Sequence, residues 1–246
     1  MPQALRAVVP LLMIWLSIAS ATAQTLVVSA ASSLRDVFTE AGREFERQSP
    51  GLKLVFNFSA SGVLLQQIRH GAPVDIFATA DAITMEQAQQ LALIKPESRT
   101  IFARNSLVVV VPLVSNHDIR QLSDLSRLAR VAIGNPATVP AGRYAQQALD
   151  AAGVKLSNVI PAEHVRQALV YVARGEVDAA LVYATDARYN AGRVRVAYRP
   201  SLGEPIVYPI AIVRNSKQPA LAQAFVSLLQ GPTGRELLSR HGFLLP

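Results

Sequence analysis

Cysteine is absent from the 246-residue sequence, and its absence excludes several classes of protein at once. A disulfide framework, a thiolate metal site, a cysteine nucleophile and a lipid-modified N-terminal cysteine all need this residue. The folded chain therefore has to be held together by its buried core. With 50% hydrophobic residues, the sequence can form one large domain or two modest ones.

Recognisable catalytic motifs are also missing. No G-x-S-x-G is present to form a serine nucleophile elbow, since "SASG" has serine where the first glycine would stand. The aspartates Asp75 and Asp178 each lie at the start of a predicted strand, which favours structural roles. The histidines stand apart, without H-E-x-x-H or similar metal-binding spacing: His70, His117, His164 and His241. We therefore predict that the protein is not an enzyme and has no direct metal ligands.

The charge pattern argues against nucleic-acid binding. The formal net charge is +7, from 24 Lys and Arg against 17 Asp and Glu. The basic residues are scattered singly, and no basic run interleaved with aromatic residues occurs. The excess positive charge thus indicates solubility and a mild attraction for anions.

The N-terminus resembles a cleavable signal peptide. Arg6 precedes an apolar run over residues 7–18, and Ala21-Thr22-Ala23 fits the A-x-A cleavage pattern. A membrane anchor is the alternative, but the run is shorter than the ~20 residues of a spanning helix and is interrupted by Pro10. We predict a signal peptide over 1–23 and a mature periplasmic protein without membrane insertion.

Strand-like and helix-like segments alternate along the remaining chain, which is typical of an α/β protein with a mainly parallel sheet. The series "TLVVSA", "LKLVFNF" and "VDIFATA" is followed by a second series of similar architecture after "NSLVVVVP". Two long extended segments, at about 104–111 and 205–213, would cross between two lobes and form a hinge and a central cleft. The predicted division is 24–105 and 208–246 for the first lobe and 106–207 for an inserted second lobe.

Serines recur where predicted strands give way to helices. Ser33 lies in "SAASSLRD", and Ser59 and Ser61 lie in "NFSASGV". The ordinary interpretation is helix capping, and Ser33 with Asp36 resembles a capping box. The alternative is ligand binding, because the first N–H groups of a helix have no intrahelical partner.

Two helix starts in the second series have small or apolar residues that leave their backbone N–H groups approachable. Ala141 follows Pro140 in "VPAGRYAQQAL", and Val165 lies in "PAEHVRQAL". Ligands of open α/β sheets bind beyond the carboxyl ends of strands, and helix N-termini favour anions. Convergence of these turns would make a site for an oxyanion held by neutral donors.

In several motifs the chain resembles the periplasmic molybdate-binding proteins of ABC transporters, which have the type II periplasmic-binding fold. The resemblance covers nearly the whole mature chain. It is carried, in the order and approximate spacing of that family, by "AASSLRDVF", "GAPVDIFATAD", "NSLVVVVP", "VPAGRYAQQAL", "AEHVRQAL", "ALVYATDA", "YPIAIV" and "GPTGRELLSRHGF".

The resemblance implies five ligand contacts. The serine before leucine in "SSL" corresponds to Ser33, and the serine of the second turn corresponds to Ser61. Backbone donors correspond to Ala141 and Val165, and the tyrosine of "LVYATDA" corresponds to Tyr183. Whether Ser59 also contacts the ligand stays open, because relatives often carry a longer serine run there.

The implied function is capture of molybdate or tungstate without chemical change, followed by delivery to an inner-membrane ABC permease. No cofactor is expected, the molybdenum would be bound only as its oxyanion, and the protein would be a monomer. Three alternatives stay open: a type II binding protein for another oxyanion or small anionic solute, an exported hydrolase that uses one of the serines, and a ligand-sensing domain.

Overall fold

The computed structural model describes residues 24–246, so the predicted signal peptide lies outside the described residues. The strands are β1 Gln24–Ala31, β2 Leu52–Ser59, β3 Ile76–Ala78, β4 Thr100–Asn105, β5 Leu107–Pro112, β6 Val131–Gly134, β7 Val159–Ala162, β8 Ala179–Tyr183, β9 Val194–Tyr198 and β10 Ile206–Ile212. The helices are α1 Arg35–Gln48, α2 Ser61–Arg69, α3 Ala82–Gln90, α4 Pro140–Ala151, α5 Val165–Ala173, α6 Ala184–Tyr189, α7 Pro219–Gln230 and α8 Pro232–Arg240.

The strands form two separate five-stranded sheets, each of which is the centre of one lobe. The first lobe has the order β2-β1-β3-β10-β4, and the second has the order β7-β6-β8-β5-β9. Strand β1 is parallel to both β2 and β3, and β6 is parallel to both β7 and β8. The parallel part of each sheet brings the strand-to-helix turns of that lobe to one edge.

The expectation of a mainly parallel sheet is wrong, because both sheets are mixed. Strand β10 is antiparallel to β3 and β4, and β5 is antiparallel to β8 and β9. These strands carry the chain between the lobes. A chain that leaves a lobe along one strand and returns along its neighbour makes an antiparallel pair, whatever the local sequence favours.

The two crossings differ in length. Only Ser106 separates β4 in the first sheet from β5 in the second, whereas residues 199–205 connect β9 to β10. Strand β10 joins the first sheet at Ile206. Because the lobes are joined by two strands that run side by side, the connection can act as a hinge.

The predicted apolar face of the first helix is buried. Val37, Phe38, Ala41 and Phe45 of α1 pack into the core, with Phe38 and Phe45 both edge-on to Phe225 of α7. Helical spacing of apolar residues therefore predicted this surface correctly. Among residues 24–246, no helix has the length and apolar character needed to cross a membrane.

Candidate functional site

A small cavity of about 10 Å³ lies between the two lobes at the strand-to-helix turns. All five residues predicted as ligand contacts line it, and so does Ser59. The lining residues are Ala31, Ser32, Ser33, Ser59, Ala60, Ser61, Ala80, Val139, Pro140, Ala141, Val165 and Tyr183, none of which is charged. A larger cavity of about 620 Å³ opens beside β7 and α4, but none of the five predicted contacts lines it.

Ser33 and Ser61 bring two buried hydroxyl groups from the first lobe. Ser33 lies in a short 3-10 turn between β1 and α1, and its Oγ is 3.1 Å from the hydroxyl of Tyr208. Ser61 begins α2, and its Oγ accepts a hydrogen bond of 3.1 Å from the N–H of Ala80. Since Ser61 accepts this bond, its own proton is available to a ligand.

The capping-box interpretation of Ser33 and Asp36 is wrong. No side chain caps the 3-10 turn or α1, because the Ser33 hydroxyl is turned toward Tyr208. Asp36 instead pairs with Arg166 of the second lobe, at 2.5 Å. The spacing along the chain predicted hydrogen bonds within the turn, but both side chains instead bond to residues that are distant in the sequence.

The second lobe presents two helix N-termini to the same cavity. Pro140 and Ala141 form the first turn of α4, and Val165 is the first residue of α5. The first N–H groups of a helix lack intrahelical acceptors. His164 caps α5 by accepting a hydrogen bond of 3.1 Å from the N–H of Gln167 through Nδ1. Burial lowers the pKa of His164, which favours the neutral ring that this acceptor role requires.

Tyr183 ends β8 and is almost fully buried against the cavity. Its hydroxyl donates a long hydrogen bond of 3.3 Å to the carbonyl oxygen of Ala80, in the opposite lobe. Burial raises the pKa of Tyr183 well above its ordinary value, so the hydroxyl stays protonated and can act as a donor. The backbone of Ala80 is therefore hydrogen-bonded to two hydroxyl groups of the cavity, through its N–H to Ser61 of the first lobe and through its carbonyl oxygen to Tyr183 of the second.

Tyr208 is a residue of this site that the sequence reasoning did not identify. It lies on β10, is fully buried, and contacts Ser33 through its hydroxyl. Its ring also packs edge-on against Tyr183, with 5.7 Å between centroids. The sequence offered only a tyrosine in an apolar strand, which is the pattern of an ordinary core residue.

Contacts between the lobes surround the cavity and hold it closed. The N–H of Gly62 in α2 donates to the carbonyl of Thr138 at 3.0 Å. Arg143 of α4 donates to Asp81 through Nε at 3.0 Å and to Thr84 Oγ1 at 2.7 Å. Arg143 is paired with Asp81, and Arg166 is paired with Asp36. Each charge near the cavity is therefore neutralised by a partner, and none of these four side chains lines the cavity.

Nothing in the described part of the chain suggests a metal centre, since no group of three or more His, Asp or Glu side chains comes together there. Asp75 has the structural role expected of it. Its Oδ2 accepts from the N–H of Val27 at 2.9 Å, and its Oδ1 accepts from Ser216 Oγ and the N–H of Lys217. The chemistry available at the cavity is therefore that of neutral hydrogen-bond donors.

Comparison with known proteins shows relatives over almost the entire length of the chain. It is 35% identical to the molybdate-binding protein ModA of Mycobacterium tuberculosis over 225 residues, covering 91% of this chain and 86% of the relative. It is 34% identical to the protein of the same name from Escherichia coli, covering 89% of each.

A solved structure from Clostridium difficile, described as the substrate binding domain of a putative molybdenum ABC transporter, superimposes with a TM-score of 0.68. The match has 28% identity and covers 90% of this chain and 99% of that one. The likeness confirms the predicted fold class of two α/β lobes of the type II periplasmic-binding kind. The prediction of a binding protein rather than an enzyme is confirmed as well. The family of bacterial extracellular solute-binding proteins matches residues 26–244, and the chain belongs to this family.

Proposed function

We propose that the protein captures molybdate or tungstate as a tetrahedral dianion in the interlobe cavity. The observation that carries the proposal is one uncharged cavity lined by hydroxyl groups and helix starts from both lobes: Ser33, Ser61, Ala141, Val165 and Tyr183. The relatives named as molybdate-binding proteins support the choice of ligand. No cofactor takes part, and molybdenum is held through its oxygens alone.

Neutral donors can hold a buried dianion because many of them act together. Hydrogen bonds to a charged group contribute about 1.5–3 kcal/mol each, so five to seven of them offset a large part of the cost of desolvation. The turns of α1, α2, α4 and α5 all meet at the cavity, and each helix N-terminus adds partial positive charge. An ion held this way can also be released when the lobes separate.

Binding exchanges the partners of one hydroxyl. Tyr183 donates to the Ala80 carbonyl across 3.3 Å, a long bond that a nearby anionic oxygen would replace with a stronger one. Ser61 needs no such exchange, because Ala80 donates to it and leaves its proton free. Donors from both lobes then satisfy one ion, which makes the closed state the ligand-bound state.

The closed state is the form that an ABC permease in the inner membrane would recognise. The Clostridium difficile relative described as part of a putative ABC transporter supports this partner. We place the mature protein in the periplasm as a monomer, exported by the signal peptide at 1–23. A different oxyanion is the alternative ligand, since the arrangement of donors suits any tetrahedral anion that fits the cavity.

Thermal unfolding of the mature protein, stripped of ligand, tests the proposal against equal concentrations of molybdate, tungstate, sulfate, phosphate and small carboxylates. A ligand at about a hundred times its dissociation constant adds about 2.7 kcal/mol, which raises Tm by several degrees. Only molybdate and tungstate are expected to do so. A larger shift with sulfate, phosphate or a carboxylate would transfer the assignment to that ligand.

Calorimetric titration of Ser33→Ala and Ser61→Ala with molybdate then tests the site itself. Each change removes one donor and is expected to raise Kd by about tenfold or more. Ser239→Ala, at an exposed position of α8, is the matched control and should bind as the wild type does. Unchanged affinity in both cavity variants would place the ligand elsewhere.

A further inference from the structure

A second cavity between the lobes, of about 170 Å³, is charged where the ligand cavity is not. The first lobe contributes Asp36 of α1 and, at the end of α8, Arg240 and His241. The second lobe contributes Arg166 of α5 and Arg188 of α6. We call this cavity the arginine crevice. Because its walls belong to different lobes, the crevice has this form only when the lobes are closed.

The carboxylates at the arginine crevice are already neutralised. Asp36 pairs with Arg166, with 2.5 Å between the charged atoms. Glu40 is shared by two residues of the crevice, since it pairs with Arg240 and its Oε2 lies 2.8 Å from His241 Nε2. These acidic groups therefore do not need a further cation, and any additional arginine gives the crevice an excess of positive charge.

Arg188 is that additional arginine. It forms no ion pair with a carboxylate among residues 24–246, although it lines the crevice. Its side chain crosses to the first lobe and lies against Gly242, where an added Cβ would be 2.9 Å from Arg188 Cδ. Gly242 has a φ of +87°, a conformation that favours glycine, so this turn leaves room for the arginine. An uncompensated guanidinium of the second lobe thus lies beside Arg240 and His241 of the first.

Thr185 adds a neutral donor to the arginine crevice. Its Oγ1 accepts a hydrogen bond of 2.9 Å from Asn105 Nδ2, and within residues 24–246 its own proton has no acceptor. Thr185 is only 4% exposed and lines the crevice, so this proton is available there and not to bulk water. The crevice therefore combines arginine N–H groups with a buried hydroxyl donor, which together suit an anion.

We propose that the arginine crevice is a second anion site, which takes a small dianion of the phosphate class between Arg188 and Arg240 and thereby stabilises the closed state. The proposal rests on the function proposed above, in which the closed state is the ligand-bound state. Guanidinium groups bind phosphate oxygens in pairs of parallel hydrogen bonds. At about 170 Å³ the crevice is smaller than the pockets of about 300 Å³ or more that hold organic ligands, which favours an inorganic ion.

The two sites are then coupled through closure of the lobes. An anion that binds only the closed protein raises the affinity for molybdate, and molybdate raises the affinity for that anion by the same factor. Without molybdate the lobes separate and the walls of the crevice part, so phosphate alone should change the Tm of the ligand-free protein little. A phosphate ion in the ligand cavity would have the opposite effect on molybdate, because the two ions would compete.

Titration calorimetry with molybdate tests the coupling, in mildly alkaline buffer of constant ionic strength with and without inorganic phosphate. In the wild type, saturating phosphate should lower Kd for molybdate by about fivefold or more. In Arg188→Gln, phosphate should no longer lower it, whereas Arg188→Lys keeps the charge without the planar fork and should retain part of the effect. Arg69→Gln removes an exposed arginine at the end of α2 and is the matched control, which should behave as the wild type does.

The ratio of the two Kd values, with and without phosphate, is the quantity to compare, because a change in packing alone shifts both values together. An equal ratio in the wild type and Arg188→Gln would overturn the second site and leave the proposed function standing. A rise of Kd with phosphate would show competition for the ligand cavity and would overturn the second site as well. Failure of the wild type to bind molybdate at all would refute both proposals.

Discussion

Arg166 of α5 links the two lobes through Asp36 of α1, with 2.5 Å between Nη2 and Oδ2. Its Nε also lies 2.6 Å from Oδ1 of Asp186, a fully buried carboxylate in the same lobe as Arg166. The two carboxylates depend on this one cation to different degrees. Asp186 has no access to solvent, whereas Asp36 is partly exposed.

This difference predicts unequal effects on stability. Arg166→Gln leaves Asp186 buried without a counter-charge and should lower the free energy of unfolding by about 3–5 kcal/mol. Asp36→Asn keeps the pair of Arg166 and Asp186 and should cost about 1 kcal/mol or less. Urea unfolding of the ligand-free protein measures both. Equal losses in the two variants would show that Asp186 does not depend on Arg166.

The loss of stability in Arg166→Gln should also depend on pH. Burial raises the pKa of Asp186 above its ordinary value of 3.8, and the positive charge of Arg166 opposes the rise. A carboxyl whose pKa is higher in the folded state binds protons more readily when folded, so its contribution to stability is greatest in acid and is lost as the pH rises through the folded pKa. Removing Arg166 raises that pKa further.

The Tm deficit of Arg166→Gln should therefore shrink as the pH falls from neutral toward the ordinary aspartate range, while Asp186 takes up a proton. Thermal unfolding of wild type and variant across this range measures the deficit. The double variant Arg166→Gln with Asp186→Asn lacks the titrating group and is the control, for which the deficit should not narrow. A deficit of constant size in the single variant would contradict the assignment.

Gly62→Ala should weaken ligand binding by hindering closure. A Cβ at Gly62 would lie 2.7 Å from the carbonyl oxygen of Thr138 in the opposite lobe. Because alanine favours the helix that Gly62 occupies, the open protein should keep its Tm or gain slightly. If the clash raises the free energy of the closed state by about 1.4 kcal/mol, titration calorimetry should show a Kd for molybdate that is about tenfold higher. Unchanged affinity would mean that the lobes close without this contact.

Gly142→Ala should disturb the second lobe itself. A Cβ there would lie 2.0 Å from the carbonyl oxygen of Gly134 on β6, so α4 must move and carry the N–H of Ala141 with it. We expect a loss of about 1–3 kcal/mol in stability, together with weaker molybdate binding. Gly192→Ala is the control, since a Cβ at that position meets no atom within 4 Å. If urea unfolding gives the same free energy of unfolding for Gly142→Ala and Gly192→Ala, the predicted clash with Gly134 does not destabilise the protein.

Much of the fold could be predicted from periodicity. Apolar spacing located α1, where Val37, Phe38 and Ala41 are buried, because a helix on a sheet must hide one face. The mixed character of the sheets could not be predicted in this way. The direction of β5 and β10 depends on which lobe the chain enters or leaves. The apolar pattern of a strand does not indicate whether the strand is parallel or antiparallel to its neighbours.

The sequence by itself determined the chemistry of the site: no thiol, no catalytic motif, and hydroxyls and small residues at strand-to-helix turns. Family resemblance added five residues that are expected to contact the ligand. Only the tertiary structure decided what those residues touch. Ser33 could have capped its own turn, but folding brought Tyr208 to it from 175 residues away, and Asp36 found Arg166 from 130 residues away. Capping rules describe neighbours along the chain, whereas the partners of a buried polar group are those that the packing of distant strands and helices brings within hydrogen-bond distance.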